Sequence, residues 1–339
     1  MVQQLKAPFP WFGGKATVAD DIWKRFGVVR NYVEPFAGSL AVLLNRPLPF
    51  EGTETVNDAD GLLCNFWRAV QSAPDDVARW ADWPVNENDL HARHSWLVGQ
   101  RESLQARLEG DPDYCDAKAA GWWVWGICLW IGSGWCSGEG PWQVIEDAEG
   151  VRQLVHLGDA GQGINRKLVH LGNAGRGSDA LAVDAPPGVG GACEAWAEHL
   201  ACTMQALSDR LRRVRVCCGD WPRVCGPTPT VKQGTTAVFL DPPYGDEDNR
   251  RDGLYRVDSG SVASEVRKWA IEWGDDKRMR IALCGYDGFT MPNEWRQMAW
   301  KAKGGYGSQG EGRGRENAKR EIIWFSKHCE LEPMLFEDM

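Results

Sequence analysis

The sequence lacks any long apolar run, and its cysteines and histidines lack the spacing of a metal site. No stretch of the 339 residues approaches the roughly 20 apolar residues of a membrane-spanning helix, so we expect no such span. The eleven cysteines include no Cys-x-x-Cys pair and the six histidines are scattered, so we expect no metal. Met1–Lys6 shows no signal-peptide pattern. We interpret the cysteines as reduced, mostly buried thiols of a cytoplasmic protein.

Positive charge is also in deficit. The net charge is −9 and the isoelectric point is near 5.3, which by itself does not indicate a nucleic-acid-binding protein. Net charge, however, governs solubility and non-specific association more than what a cleft binds. Two local basic clusters are either ordinary solvated loops or sites that contact phosphates in a salt-dependent way. Their members are Arg152, Arg166, Lys167 and Arg176 in one, and Lys301, Lys303, Arg313, Arg315, Lys319 and Arg320 in the other.

The most informative motif is the run Asp-Pro-Pro-Tyr at residues 241–244, directly after the apolar run Thr236–Leu240. The apolar run predicts a short buried strand, and the two prolines end it. A carboxylate, a stiff turn and an aromatic ring are thereby delivered together at the carboxyl end of a strand, where open α/β sheets bind ligands. The alternative interpretation is a proline-stiffened surface turn without a function.

These groups suit methyl transfer to the exocyclic amine of a nucleic-acid base. The lone pair of that amine is delocalised into the ring, and two acceptors on its N–H groups would free it. The Asp241 carboxylate and the Pro242 carbonyl are the predicted acceptors, the latter held by the fixed φ of Pro242 and Pro243. The Tyr244 ring is predicted to stack on a base taken out of the duplex. Catalysis would rest on positioning and preorganised acceptors, because the amine is already neutral.

Two motifs near the N-terminus have features of a nucleotide-binding unit. The run Phe9–Lys15 combines three aromatic residues, two glycines and a lysine at a helix start, which can hold an amino-acid-like carboxylate. Alternatively, it anchors the N-terminus by burying Trp11 and Phe12. The segment Asn31–Ser39 predicts a strand and a tight turn before a helix. Asp58, about 20 residues on, is predicted to bind a ribose, to cap the next helix, or both.

In this order, the runs Phe9–Lys15, Glu34–Gly38, Asn57–Asp58 and Asp241–Tyr244 resemble the motifs of the Dam-type (class alpha) DNA adenine N6-methyltransferases. More narrowly, they resemble the DNA methylases of bacteriophages. The resemblance implies a class I, Rossmann-like α/β fold with a mixed seven-stranded sheet and S-adenosylmethionine as the cofactor. It also implies action on double-stranded DNA, protection of that DNA from restriction, and a place in the cytoplasm of a bacterial or phage-infected cell.

The resemblance also implies which residues contact the cofactor. Trp11 and Lys15 would lie near its methionine end, and Asp58 would hold its ribose. Asp220 would accept from the adenine amine, with Trp221 packed beside the ring. The complete expected set is Pro10, Trp11, Gly14, Lys15, Glu34, Pro35, Phe36, Gly38, Asp58, Asp220, Trp221 and Asp241.

One departure from the family pattern follows Gly38. The family usually has further glycines there, and this chain has Ser39 and Leu40 instead. Side chains at these positions would alter how closely the backbone approaches the cofactor. The departure is the one feature that supports a DNA-binding relative that has lost catalysis.

The predicted catalytic domain is split by an insertion. Residues 1–74 form its first part, residues 75–200 a helical and hairpin target-recognition domain, and residues 201–339 its second part. The boundary follows the helix-start pattern at Gln71–Asp76. Within the insertion, Trp122–Ile131 predicts a buried helix, whereas Trp135 and Trp142 are predicted to be exposed, since glycine and proline flank them.

A short repeat within the insertion is the candidate DNA-reading element. The segment Leu154–Gly161 recurs as Leu168–Gly175, which favours a hairpin, although a glycine-rich lid is an equal alternative. Another hairpin is predicted from Trp295–Lys303 and Glu321–Phe325. Arginine and lysine side chains suit contacts with guanine and with phosphates. The expected DNA-binding residues are Arg166, Lys167, Arg176, Tyr255, Arg256, Arg313 and Arg315.

Together these patterns predict a site-specific DNA methyltransferase that acts on adenine N6 through a flipped-out base. The expected partner is double-stranded DNA and the expected assembly is a monomer. Two alternatives stay open at this point. One is methylation of another amino group, such as cytosine N4 or an RNA adenine, and the other is a catalytically lost relative. The aspartate that leads the Asp-Pro-Pro-Tyr run favours adenine by analogy with the family.

Overall fold

A computed structural model describes residues 5–11, 13–130, 135–136, 142–146, 152–156, 169, 190–243, 262–286, 290–300 and 321–330. The helices are α1 (Ala19–Phe26), α2 (Ala41–Leu44), α3 (Gly61–Ser72), α4 (Pro74–Ala81), α5 (Glu87–Gly110), α6 (Ala117–Leu129), α7 (Gly190–Leu211), α8 (Pro222–Cys225) and α9 (Val262–Trp273). The strands are β1 (Asn31–Glu34), β2 (Thr53–Asp58), β3 (Trp142–Glu146), β4 (Arg152–His156), β5 (Val214–Cys218), β6 (Thr236–Leu240), β7 (Met279–Tyr286), β8 (Arg296–Ala299) and β9 (Glu321–Phe325).

Seven strands form one mixed sheet in the order β5-β2-β1-β6-β7-β9-β8. The first five are parallel neighbours, while β9 runs antiparallel to both β7 and β8. This arrangement confirms the predicted fold class, a seven-stranded mixed sheet of the class I methyltransferase type. The chain reverses its strand order between β1 and β6, and ligands bind at such a switch point beyond the carboxyl ends of the strands.

The centre of the sheet is built from two predicted strands, β1 with the sequence Asn-Tyr-Val-Glu and the apolar β6. Every residue of β1 and of β6 is buried, as expected for parallel strands covered on both faces. Asp241 follows directly on the last residue of β6, so the predicted strand and its ending are confirmed. The final hairpin is also confirmed, because β8 and β9 pair antiparallel.

Helix α3 lies at the centre of the helical layer. Its residues from Gly61 to Val70 are all buried. The two polar residues among them, Asn65 and Arg68, donate to backbone carbonyls, as buried polar groups must. Helices α4, α5, α6 and α7 pack against it or against one another, and their buried residues share one apolar core with β1 and β2. The predicted buried helix at Trp122–Ile131 is thus part of α6, while the domain boundaries stay a prediction.

The structure describes only the start of the first repeat copy. Residues 152–156 form the strand β4, whose antiparallel partner is the upstream strand β3. The second copy lies outside the described residues except for Val169, which is buried. The predicted pairing between the two copies therefore stays a prediction.

The prediction of an exposed Trp135 was wrong. The residue is 8% exposed, its ring packs 5.1 Å from that of Trp130, and its Nε1 donates to the carbonyl of Trp123 at 3.1 Å. Gly126 makes room for this ring, since a Cβ there would lie 2.1 Å from it. The glycines that flank Trp135 in the sequence therefore do not indicate its exposure.

Leu40 shows how the chain manages without the expected glycine. Its backbone is left-handed, with φ of 54° and ψ of 27°, at the cap of α2. A non-glycine residue in this region costs roughly 1–2 kcal/mol. The Leu40 side chain is fully buried, and burying a leucine gains more than that strain costs. The turn therefore keeps the geometry of a glycine turn while its side chain joins the core.

No helix within the described residues is long and apolar enough to cross a membrane.

Replacing Leu40 should invert the usual ranking of alanine and glycine. Leu40→Ala and Leu40→Gly both remove buried methyl groups and should lower the free energy of unfolding by about 2–5 kcal/mol. Glycine adopts the left-handed backbone freely, so Leu40→Gly should be the more stable of the two by about 1 kcal/mol. Urea titrations of both variants provide the measurement.

Leu43 is the matched control because it is equally buried but lies within α2. There alanine should be more stable than glycine by about 1 kcal/mol. The same ranking at positions 40 and 43 would contradict the strain that we ascribe to Leu40.

Candidate active site

An open cleft of about 990 Å³ lies at the carboxyl edge of the parallel strands. Its walls come from the loop before α1 and from the segments that follow β1, β2, β5 and β6. The lining residues are Trp11, Gly13, Gly14, Lys15, Glu34, Pro35, Phe36, Ala37, Gly38, Ser39, Ala41, Val42, Asn57, Asp58, Ala59, Asp60, Gly219, Asp220, Trp221, Phe239, Asp241, Pro243 and Val262. The elements that the sequence motifs occupy therefore meet in one place.

The loop before α1 is held by Phe9. This ring is 4% exposed and packs edge-on against Phe66 and Trp123, with ring centroids 5.4 and 5.1 Å away. Trp11 is only half-buried and lines the cleft. The N-terminal segment is thus anchored through Phe9, while Trp11 packs only partly against the core and Phe12 lies outside the described residues.

The turn after β1 fits closely under Trp11. Gly38 has φ of 46°, and a Cβ there would lie 2.5 Å from the indole Nε1 of Trp11. Any side chain at position 38 would therefore push Trp11 away from the cleft. The Gly38 carbonyl also accepts from Nε1 of Trp67 at 3.0 Å, which ties the turn to α3.

Asp58 holds the same turn from the end of β2. Its Oδ2 accepts from the Gly38 N–H at 3.1 Å and its Oδ1 from the Asp60 N–H at 2.9 Å. Asp60 is the residue that caps α3, by accepting from the N–H groups of Leu62 and Leu63. The alternative role of Asp58 as the helix cap was therefore wrong.

Glu34 is a buried acid in the wall of the cleft. Its Oε2 accepts from the Tyr32 hydroxyl at 2.9 Å, and the residue is 2% exposed. Burial raises the pKa of Glu34 to about 8, although the hydrogen bond from Tyr32 lowers it. The negative charge of Asp241 adds to the rise. An acid this costly to ionise favours a ligand that brings a positive charge next to it.

An aromatic wall closes the side of the cleft near β5. The rings of Phe36 and Trp221 lie 6.4 Å apart, and Asp220 stands beside them, its Oδ1 accepting from the Trp221 N–H at 2.9 Å. Flat apolar surfaces next to an acceptor suit a heteroaromatic ring with an exocyclic amine.

Lys15 and Asp241 join the two ends of the site. Lys15 Nζ lies 2.7 Å from Asp241 Oδ2 and donates to the Gly13 carbonyl at 2.8 Å. The lysine is 3% exposed, whereas the side chain of Asp241 is 23% exposed and faces the cleft. Burial alone would lower the pKa of Lys15, but the charges around it, Asp241 foremost, more than reverse this and raise it. The lysine therefore stays ionised around neutral pH.

Residues 11–90 match the model of the D12 class N6 adenine-specific DNA methyltransferase family.

The D12 match confirms the predicted family resemblance, and the matched family consists of S-adenosylmethionine-dependent enzymes that methylate adenine in DNA. The prediction of an enzyme of this class is thereby confirmed. The matched segment runs from Trp11 through the turn after β1 and the end of β2, and it stops before β6 and Asp241. No curated protein matches the chain.

Most of the residues that the family resemblance implies for cofactor binding line the cleft. The exception is Pro10, which is described but does not line it. Of the expected catalytic residues, Asp241 and Pro243 line the cleft and Pro242 is buried beside them. The remaining predictions fall outside the described residues, namely Tyr244 and the DNA-binding set Arg166, Lys167, Arg176, Tyr255, Arg256, Arg313 and Arg315.

Sequence reasoning missed four residues that belong to this D12-type cleft or its surroundings. Phe239 and Val262 line it, and Cys284 and Glu321 lie around the Lys15–Asp241 pair. Glu321 carried a signal, because it is the one acidic residue in the otherwise apolar strand β9. Phe239 and Cys284 carried none, since apolar residues on buried strands are ordinary core residues, and Val262 carried none as the first residue of a helix. Among the described residues, no cluster of histidine, cysteine or acidic side chains could hold a metal.

Breaking the Lys15–Asp241 pair should destabilise the protein in a pH-dependent way. Asp241→Asn leaves the Lys15 ammonium buried without its closest counter-charge, which should cost about 3 kcal/mol. Burial would then hold the pKa of Lys15 in the folded state below its value in the unfolded chain. The unfolded state binds more protons in that range, so the stability of this variant should rise between pH 7 and 10.

The double variant Lys15→Met with Asp241→Asn serves as the comparison. It removes both charges, so it should be more stable than Asp241→Asn alone at neutral pH. Denaturant titrations across the pH range measure both effects. Equal stability of the single and double variants would show that the ammonium is not an uncompensated buried charge.

Proposed function

We propose that the cleft binds S-adenosylmethionine and that the chain transfers its methyl group to N6 of an adenine in double-stranded DNA. The observation that carries this proposal is the position of Asp241, which stands at the end of β6 on the same cleft as the D12-matched residues. The Asp241 side chain is partly exposed there and is oriented by Lys15. A preorganised acceptor at the edge of a cofactor-sized cleft is what this transfer needs.

The residues present fit the cofactor. Glu34 is a buried carboxylate whose ionisation a cationic ligand would favour. Asn57 lines the cleft, and its Oδ1 is a buried acceptor without a partner among the described residues. We propose that Glu34 and the loop of Trp11 face the amino-acid part, that Asp58 takes the ribose hydroxyls, and that Asp220 with Trp221 takes the adenine. When bound, S-adenosylmethionine supplies a methyl group on a positively charged sulfur.

The chain's own part in the reaction is to hold the nucleophile. Asp241 and the Pro242 carbonyl would each accept one N–H of the target amine, which frees its lone pair for attack along the line of the breaking bond. The nitrogen gains a methyl group and loses one proton, which the Asp241 carboxylate takes from the N–H it holds and releases to water. Tyr244 would stack on the base.

The DNA side of the proposal rests on the resemblance and on the family match. Double-stranded DNA would be engaged by the expected recognition domain at residues 75–200 and by the basic clusters of the sequence. We propose that a monomer acts on the DNA. The modification would protect DNA from restriction in the cytoplasm of a bacterium or of a phage-infected cell. The left-handed turn at Leu40 supports an active enzyme over a catalytically lost relative, because the turn keeps its shape.

Modified-base sequencing of plasmid DNA tests the reaction. The wild-type chain and its Asp241→Ala variant are expressed in a bacterium without DNA methylation of its own. We expect N6-methyladenine in one sequence context with the wild type and none with the variant. Asp275→Ala removes an exposed aspartate that does not line the cleft and should leave the modification unchanged. Modification of cytosine instead, or no modified base with folded protein present, would refute the proposal.

Cofactor binding should depend on pH through Glu34. Below a pKa of about 8, Glu34 is protonated in the free protein, and binding a cation must release that proton. The dissociation constant for S-adenosylmethionine should therefore fall by up to tenfold per pH unit as the pH rises from 6 to 8, and then level off. Calorimetry in buffers of different ionisation enthalpy measures both affinity and proton release.

Glu34→Gln is the control for this dependence. It should bind more weakly at pH 8 and show no proton release between pH 6 and 8. A wild-type affinity that is constant across this range would place the positive charge of the cofactor away from Glu34.

A further inference from the structure

The antiparallel strand β9 brings an acid to the catalytic edge of the sheet. The carboxyl ends of β6 and β7 lie at this edge, and an antiparallel neighbour necessarily starts there. Glu321, the first residue of β9, stands opposite Tyr286, the last residue of β7. Asp241 follows β6 at the same edge, next to the position where Leu240 pairs with Leu283. Residues 80 positions apart are thereby placed around one point.

Glu321 is buried and has an unused oxygen. The residue is 8% exposed, and its Oε2 has no hydrogen-bond partner among the described residues. Its backbone carbonyl accepts from the N–H of Trp300 at 3.2 Å. The Trp300 ring in turn lies 4.9 Å from Lys15 Nζ. Burying a carboxylate oxygen without a hydrogen bond lowers the stability of the fold, so the presence of Glu321 here is better explained by a role in function.

The charges around Glu321 are those of the catalytic pair. The described groups that interact with it electrostatically are the Lys15 ammonium, the Asp241 carboxylate and the Cys284 thiol. The charges of Lys15 and Asp241 cancel each other, so the net charge of the three side chains near the target amine depends on whether Glu321 is ionised. In methyl transfer, positive charge moves onto the amine nitrogen. A net negative cluster beside that nitrogen stabilises the transition state more than the ground state.

We propose that Glu321 is a positioning residue for the methyl transfer, which acts through Lys15 and Asp241 and makes this cluster net negative. The inference rests on the proposed function. Glu321 shares the Lys15 ammonium with Asp241, so that Asp241 is less fully neutralised and accepts the amine N–H more strongly. Protonation of Glu321 would remove both effects.

Glu321 changes its ionisation state near neutral pH. Burial raises its pKa to about 7, Lys15 lowers it, and Asp241 adds to the rise. The ionised, productive form therefore predominates above neutral pH and is lost as the pH falls through about 7.

The test compares kcat across pH 6 to 8.5 for the wild type and Glu321→Gln, with saturating cofactor and a plasmid that carries the modified site. The wild-type kcat should rise by about tenfold, the full titration of one group, with a midpoint near 7. In Glu321→Gln, kcat should stay flat at the low value, while the KM for the cofactor changes less than threefold. Glu321→Asp keeps the charge and should restore the pH dependence in part.

Glu54→Gln is the matched control, since Glu54 is a buried acid that pairs with Arg46 and Arg210 away from the cleft. It should lower the melting temperature and leave the shape of the kcat profile unchanged. A carboxylate ¹³C resonance that titrates near neutral pH and is missing in Glu321→Gln would support the ionisation without reference to activity.

Two results overturn the inference alone. One is a Glu321→Gln profile identical to that of the wild type, and the other is a wild-type kcat without a transition near neutral pH. A wild type that methylates no DNA overturns the proposed function itself, and this inference with it. If Glu321→Gln does not fold, the wild-type profile and the Glu321→Asp variant decide the matter.

Discussion

The ion pair between Lys15 and Asp241 is the interaction on which the site depends. It joins residues 226 positions apart and closes the loop before α1 over the end of β6. The lysine is so deeply buried that its ammonium would be costly there without a counter-charge. The hydrogen bond from the lysine in turn fixes the orientation of the aspartate at the cleft. Phe9 supports the pair from the apolar side by fixing the loop against α3 and α6. The loop that lines the cofactor cleft and the acceptor for the target amine are therefore held in place by the same ion pair.

The sheet explains why distant motifs converge. Parallel strands all end at one edge, so every segment after a strand contributes to the same cleft, whatever its place in the chain. The single antiparallel neighbour of β7 adds Glu321 to that edge from the opposite chain direction. Leu40 likewise shows that the fold sets the backbone geometry whatever the residue type. The turn after β1 has a left-handed backbone at position 40, although leucine and not glycine stands there.

Much of this could be predicted from the sequence where local pattern and position in the sheet agree. The strand patterns of β1, β2 and β6 and the polar residues at their carboxyl ends placed Glu34, Asp58 and Asp241 on the cleft. Prediction failed where the outcome depends on side chains from elsewhere. Asp60, two residues after Asp58, caps α3, and Trp135 packs against Gly126, a contact that no local pattern encodes. The location of Glu321 near Asp241 depends on the order of the strands in the sheet, which the sequence alone does not reveal.

The long separation between Lys15 and Asp241 has a consequence for synthesis on the ribosome. Chains emerge from the N-terminus, and domains fold as their segments become available. The quarter of the chain that carries the family match is complete long before Asp241 appears. Until then the Lys15 ammonium has no counter-charge and stays hydrated, so the loop before α1 cannot close. The nascent chain therefore has no complete cleft until β5 and β6 have been synthesised, because the segments that follow these strands form two of its walls.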